Sequence, residues 1–234
     1  MTFGGLRFEK EISMKKLLTV CVAAVLLLSL AACGKTDTDT ITDSKADKPA
    51  AETAGVGTHH AEIDIQDYGT ITVELDGDAA PITVQNFMDL ANDGFYDGLT
   101  FHRIIAGFMM QGGDPNGNGT GGSENTIKGE FSSNGVENTL SHTRGAISMA
   151  RSQNPDSASS QFFICHADST FLDGQYACFG YVTDGMDVVD RIANQPRNMM
   201  TNKPKKDQII AKVTVDTHGE TYPEPEKLAD PFRR

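Results

Sequence analysis

The 234-residue chain is long enough for one domain of moderate size with extensions, and a hydrophobic fraction of 38% allows a sizeable core. Its 20 Lys and Arg against 32 Asp and Glu give a formal net charge of −12, which repels a phosphate backbone and excludes nucleic acid as an expected partner. The cysteines at 21, 33, 165 and 178 form no CxxC pair and no cysteine–histidine cluster at zinc-ligand spacing, so no metal is expected.

Residues 1–13 carry no targeting pattern and read as an over-extended start ahead of Met14. Met14, Lys15 and Lys16 open a basic segment, followed by an apolar run at 17–32, the layout of a signal peptide over 14–32. The run is short for a spanning helix, which is the competing reading. It ends Leu30-Ala31-Ala32-Cys33, which resembles the lipobox of bacterial lipoproteins. That resemblance implies lipidation of Cys33, a membrane anchor and an extracytoplasmic address. Residues 33–58 then turn to Thr, Asp, Ala, Lys and Gly with almost no large apolar side chains, a flexible tether that cannot support a core.

From Ala61 the runs AEIDIQ and TITVELD alternate around Tyr68-Gly69 and predict a β-hairpin. Asp78 is placed to cap a helix that has Pro81 at an early position, an apolar stripe of Val84, Phe87, Met88, Leu90 and Ala91, and Gly94 at its end. In the next stretch, FHRIIAGFMMQGGDPNGNGTGG at 101–122, alternation puts Phe101, Arg103 and Ile105 on one face and His102 and Ile104 on the other. An arginine among apolar neighbours must use its donors, either in a structural ion pair or on the carbonyl and amide groups of a peptide. The Gly- and Asn-rich end of this stretch predicts a loop.

A loop-rich passage to about Asn138 follows, then a strand at 146–150, the polar loop RSQNPDSASS, and the apolar run QFFIC. A second helix is expected from about 185 to 194 and a closing strand at 208–216, with a loosely ordered tail over 220–234. Cys165 and Cys178 read as two buried thiols or one disulfide, the thiols preferred. Many strands, two helices and no βαβ rhythm suggest a mainly β antiparallel barrel or sandwich with helices at its ends.

FHRII, GFMMQGGD, SMA, QFFI, FLDG and FG occur in this order, and the domain they occupy, 59–219, resembles the cyclophilins, the peptidyl-prolyl cis-trans isomerases. The resemblance implies a closed eight-stranded antiparallel barrel capped by two α-helices, isomerase activity without a cofactor, and Arg103 as the catalytic residue. It also implies a substrate pocket of Phe108, Met109, Gln111, Ala150, Phe163 and Leu172. Phe171 and Tyr176 complete the pocket, standing where many eukaryotic members have tryptophan and histidine. Proline-containing peptides and unfolded segments are the expected partners of a monomer. A cyclophilin-like chaperone or surface binding module with little turnover is the alternative.

Other motifs carry less. GNGTGG precedes no helical pattern, no two histidines flank a glutamate at helical spacing, and Ser159-Ser160 lacks the context of a nucleophile elbow.

Overall fold

The computed structural model describes residues 57–219 and 225–229. The expected signal peptide, Cys33 and nearly all of the tether lie outside the described residues.

Strands β1 (Thr58–Ile65) and β2 (Gly69–Asp76) form the expected hairpin, in register from Thr58 opposite Asp76 to Ile65 opposite Gly69. Ala61, Ile63 and Ile65 face the core together with Ile71, Val73 and Leu75, because side chains two apart share a face and directly paired residues pack across it. Helix α1 (Pro81–Asn92) buries Val84, Phe87, Met88 and Ala91 against the same core, as its stripe predicts.

Its N-terminus differs from expectation. The N-cap is Ala80 without a side-chain bond, and Asp78 caps nothing, its own N–H donating to Asp76. The free amides of the first turn are instead taken by a distant carboxylate. Ile82 N–H donates to Glu130 Oε1 at 3.0 Å, and Thr83 donates to Oε2 through N–H at 2.8 Å and Oγ1 at 2.6 Å. Burial raises the Glu130 pKa, an effect that these donors only partly oppose.

The remaining elements are β3 (Arg103–Ile105), β4 (Met109–Gly112), β5 (Asn125–Ile127), β6 (Ala146–Met149), β7 (Phe162–Cys165), β8 (Cys178–Asp184), α2 (Met186–Ala193), β9 (Ile210–Asp216) and β10 (Lys227–Ala229). Eight strands make one antiparallel sheet in the order β3-β4-β7-β6-β8-β2-β1-β9. Strand β8 reaches β2 at Gly180, where any Cβ would collide with the Glu74 carbonyl, so the close approach requires glycine.

The architecture is mainly β with two helices, but the expected barrel is not closed by strand pairing. Strands β3 and β9 are the two edges of an open half-barrel, whose flanking segments are joined by the bridge Thr100–Ile209 and the bonds Phe101 N to Gln208 O (3.0 Å), Ile210 N to Leu99 O (2.8 Å) and Gly98 N to Ile210 O (2.8 Å). Two things prevent a ladder. β3 is three residues long, and its Ile104 N–H is already taken by the Asn202 carbonyl at 3.0 Å.

Two further expectations change. Phe101 packs in the main core with Ile104 and not on the face of Arg103, because regular alternation begins only where β3 begins. The tail expected to be loose contains β10, which pairs with β5 from Lys227 opposite Ile127 to Ala229 opposite Asn125.

The sheet has two apolar faces. Phe87, Tyr96, Phe101, Phe162 and Phe179 form the aromatic centre of the main core, with Phe87 5.1 Å from Tyr96 and 5.4 Å from Phe179 between ring centroids. The opposite face carries a smaller cluster of Met109, Ala146, Phe163, Cys165, Leu172 and Cys178. The run Phe162–Cys165 is buried throughout because β7 serves both, Phe162 and Ile164 inward and Phe163 and Cys165 outward.

Candidate active site

Register builds the site. Arg103 on β3 lies opposite Gln111 on β4, Gln111 opposite Phe163 on β7, and Phe163 opposite Ser148 on β6. Directly opposed residues of antiparallel strands share a face, so four neighbouring strands present these side chains as one row on the side away from the main core. The β3–β4 turn brings Phe108 beside the row, with its ring centroid 5.9 Å from the Arg103 guanidinium carbon.

A cavity of about 190 Å³ opens along this row, lined by Arg103, Phe108, Met109, Gln111, Ala150, Arg151, Phe163, Leu172 and Tyr176. Eight of the side chains expected to form the site are therefore gathered around one space. Phe171 is not among the lining residues: it is 66% exposed, and its ring packs on that of Phe108 at 5.7 Å.

Among the described residues Arg103 forms no ion pair. Its Nη1 donates to Gln111 Oε1 at 3.2 Å and approaches Met109 Sδ at 3.6 Å, which leaves most of its five N–H donors for a ligand. Gln111 Nε2 donates in turn to Gln161 Oε1 at 2.9 Å, and Gln161 Nε2 to the Gly121 carbonyl at 2.7 Å. This chain fixes the orientation of the Gln111 amide, so an oxygen and not an NH₂ faces the arginine. Burial lowers the guanidinium pKa, but a group so basic stays protonated at neutral pH.

Phe163 is held from two sides. The His142 imidazole lies at 17° to its ring with 6.0 Å between centroids, and Tyr176 meets it edge-on at 6.0 Å. His142 is itself fixed, with Nδ1 2.8 Å from Asp173 Oδ1 and Nε2 2.9 Å from Ser148 Oγ.

A second cavity of about 460 Å³ adjoins the first through their shared residues Gln111, Ala150 and Arg151. The glycine-rich loop lines it at Gly119, Gly121 and Gly122, under the control of Asp114. The Asp114 carboxylate accepts the N–H groups of Asn116, Asn118 and Gly119. Burial alone would raise its pKa, but these three donors overrule that effect and lower it. Arg103 lines the smaller cavity and not the larger one.

Reading the sequence missed several contributors. Arg151 is sandwiched at 5.0 Å from the Phe131 ring and 4.8 Å from Tyr176, while Nε and Nη2 donate to the Gln175 carbonyl. It opens a stretch that looks only like a polar loop, and no periodicity marks it. Gln161 stood inside the quoted QFFI motif and was legible there. The His142–Asp173 pair spans 31 residues and has no local signal. Cys165 and Cys178 are separate thiols, both buried, and burial pushes each pKa up to about 12.

Comparison with known proteins agrees with this geometry. Residues 60–215 match the family described as cyclophilin type peptidyl-prolyl cis-trans isomerase/CLD. The chain belongs to this family. A peptidyl-prolyl cis-trans isomerase of Acinetobacter baylyi is 43% identical to this cyclophilin over 159 residues, 63% of this chain and 80% of the relative. Peptidyl-prolyl cis-trans isomerase B of Bacillus subtilis is 48% identical over 130 residues, 56% of this chain and 87% of the relative. A Cryptosporidium parvum cyclophilin type peptidyl-prolyl cis-trans isomerase, crystallised in the presence of the dipeptide Ala-Pro, superposes with a TM-score of 0.62 at 32% identity, covering 67% of this chain and 98% of that chain. By family and by this level of identity, the chain is an isomerase enzyme with the cyclophilin fold.

Proposed function

We propose that the enzyme accelerates rotation about X–Pro bonds of client segments outside the cytoplasm, with Arg103 as an electrostatic catalyst and no covalent intermediate. The observation that carries this reading is a guanidinium held by a neutral amide in a cavity that Phe108, Met109, Phe163 and Leu172 also line.

Resonance raises the barrier to rotation about a peptide bond to about 18–20 kcal/mol. Twisting an X–Pro bond ends the conjugation, so the proline nitrogen regains a lone pair and becomes an acceptor that the planar amide lacks. An N–H donor aimed there favours the twisted state over both planar isomers. Arg103 supplies that donor, and Gln111 holds it in place. Phe108, Met109, Phe163 and Leu172 enclose the proline ring, and an apolar surrounding strengthens the donor's interaction. Gln111 and the backbone near Ala150 hold the flanking peptide, so rotation is confined to one bond. Phe171 serves the rim, covering Phe108.

The address follows from the leader: lipidation at Cys33 tethers the domain to a bacterial membrane, where it serves unfolded exported proteins. A protease-coupled assay on a short X–Pro peptide tests the chemistry. Wild type accelerates cis-to-trans conversion, and Arg103→Ala lowers kcat/KM by about a hundred- to a thousand-fold. Equal acceleration by both proteins would remove Arg103 from the mechanism, and absence of acceleration by wild type would leave only a binding module. Fatty-acid labelling that persists in Cys33→Ala would remove Cys33 as the anchor.

A further inference from the structure

Far along the chain from both cavities, between α2 and β9, residues 195–206 fold into a pinned loop. Asn198 Oδ1 accepts the N–H groups of Met200 at 2.8 Å and Thr201 at 3.2 Å, Asn202 N donates to the Asn198 carbonyl at 2.7 Å, and Asn198 N donates to the Lys203 carbonyl at 2.8 Å. Asn202 takes the left-handed conformation that closes the turn, with φ at 59°. The turn holds Met199 and Met200 outward at 77% and 93% exposure. Apart from Phe171 on the rim of the substrate cavity, they are the exposed large hydrophobic residues of the described part of the chain. Two adjacent apolar side chains on a fixed tip thus leave most of their surface in water, a sign of an interaction site.

Charge identifies the partner. The loop between α2 and β9, 194–209, contains Arg197, Lys203, Lys205 and Lys206 against the single carboxylate Asp207, in a chain of net charge −12. All three lysines stand exposed; Lys206 is paired with Asp67 at 3.1 Å and Lys203 Nζ donates to the Gly117 carbonyl at 3.4 Å. A convex apolar tip of two residues is far smaller than the roughly 800 Å² that each partner gives to a stable protein interface. Apolar side chains flanked by cations do suit the headgroup layer of an anionic bilayer, where shallow burial and attraction to acidic lipids act together.

We propose that this loop docks on anionic lipid, Met199 and Met200 entering the acyl boundary while Arg197, Lys203 and Lys205 meet the headgroups. The contact is independent of Cys33 and adds to any anchor there. It also bears on the site, because the Asn202 carbonyl accepts the N–H of Ile104, the neighbour of Arg103. Lipid contact at the tip therefore holds the edge strand of the site close to the membrane surface.

The chain has no tryptophan, so Met200→Trp in the full chain gives a single reporter at the tip. It is mixed with vesicles of phosphatidylglycerol and phosphatidylcholine carrying brominated acyl chains, beside a Lys212→Trp control on β9. The expected result is a blue shift and quenching at position 200, absent at 212 and absent with phosphatidylcholine alone. Adding Lys203→Ala and Lys205→Ala weakens the partition about twenty-five-fold, since each cation near an anionic surface contributes roughly five-fold. Equal quenching at 200 and 212, quenching on neutral vesicles, or no quenching overturns the proposal. A shift that appears on concentrating the protein without vesicles also overturns it, by showing that a second copy covers the tip.

Discussion

The His142 imidazole and the Phe163 ring lie nearly parallel, 17° apart in plane, and the same imidazole is bonded at both nitrogens. Asp173 Oδ1 faces both the backbone N–H of His142 at 2.7 Å and Nδ1 at 2.8 Å. An ionised carboxylate only accepts, so Nδ1 carries the proton; burial lowers the imidazole pKa, which favours an unprotonated Nε2 that accepts from the Ser148 hydroxyl. A wall of the Arg103 cavity is thus braced by a neutral histidine. Replacing His142 with Ala removes the brace and leaves Ser148 without the imidazole, while Asp173 keeps the backbone N–H of residue 142 and the Ser141 hydroxyl. The expected cost is about 2–4 kcal/mol of stability by urea unfolding and about a tenfold loss of kcat/KM in the peptide assay.

The same histidine makes stability depend on pH. Burial lowers its pKa, an effect that the bond to Asp173 only partly opposes. A group with a depressed folded pKa contributes stability that is present above its unfolded value of about 6.5 and lost as pH falls through the folded value. The urea midpoint of wild type should drop between pH 7 and pH 5. His142→Gln, which cannot titrate, should flatten that part of the curve. A slope unchanged in His142→Gln would assign it to other groups.

Glu130 caps α1 from 47 and 48 residues away. Glu130→Ala leaves the Ile82 and Thr83 donors unpaired and should destabilise by about 2–4 kcal/mol, while Glu130→Gln, which retains one acceptor, should lose about half as much. Thermal unfolding of the three proteins checks the order. Activity of the folded fraction should not change, since Glu130 lines neither cavity.

Arg103→Lys tests fork geometry against charge. A lysine keeps the positive charge, but its three donors share one nitrogen in place of a planar fork, so it cannot reproduce the arginine's spacing between Gln111 and the proposed twisted amide. The expected fall in kcat/KM is about a hundred-fold, carried by kcat. Near-wild-type turnover would mean that charge alone is sufficient.

What could be read from the sequence follows the range of the forces involved. The β1–β2 hairpin and the stripe of α1 were legible because alternation and helical period are local. The cap of α1 was misassigned to Asp78 because Glu130 arrives through tertiary structure. Phe101 was put on the wrong face because periodicity does not show where a strand starts. The gathering of Phe108, Met109, Ala150, Phe163, Leu172 and Tyr176 around Arg103 was expected from resemblance alone; register then supplied its cause. Arg151 remained hidden because its partners are two rings and a carbonyl from separate loops.

The residue that steadies Arg103 is an amide, not an acid. A glutamate at 111 would grip the guanidinium more firmly, but it would also cancel its charge, and the arginine would become one more salt bridge. Gln111 fixes the position and leaves the electric field intact. A cation in an otherwise acidic protein thus remains uncompensated toward the cavity, and its potential is directed into that space.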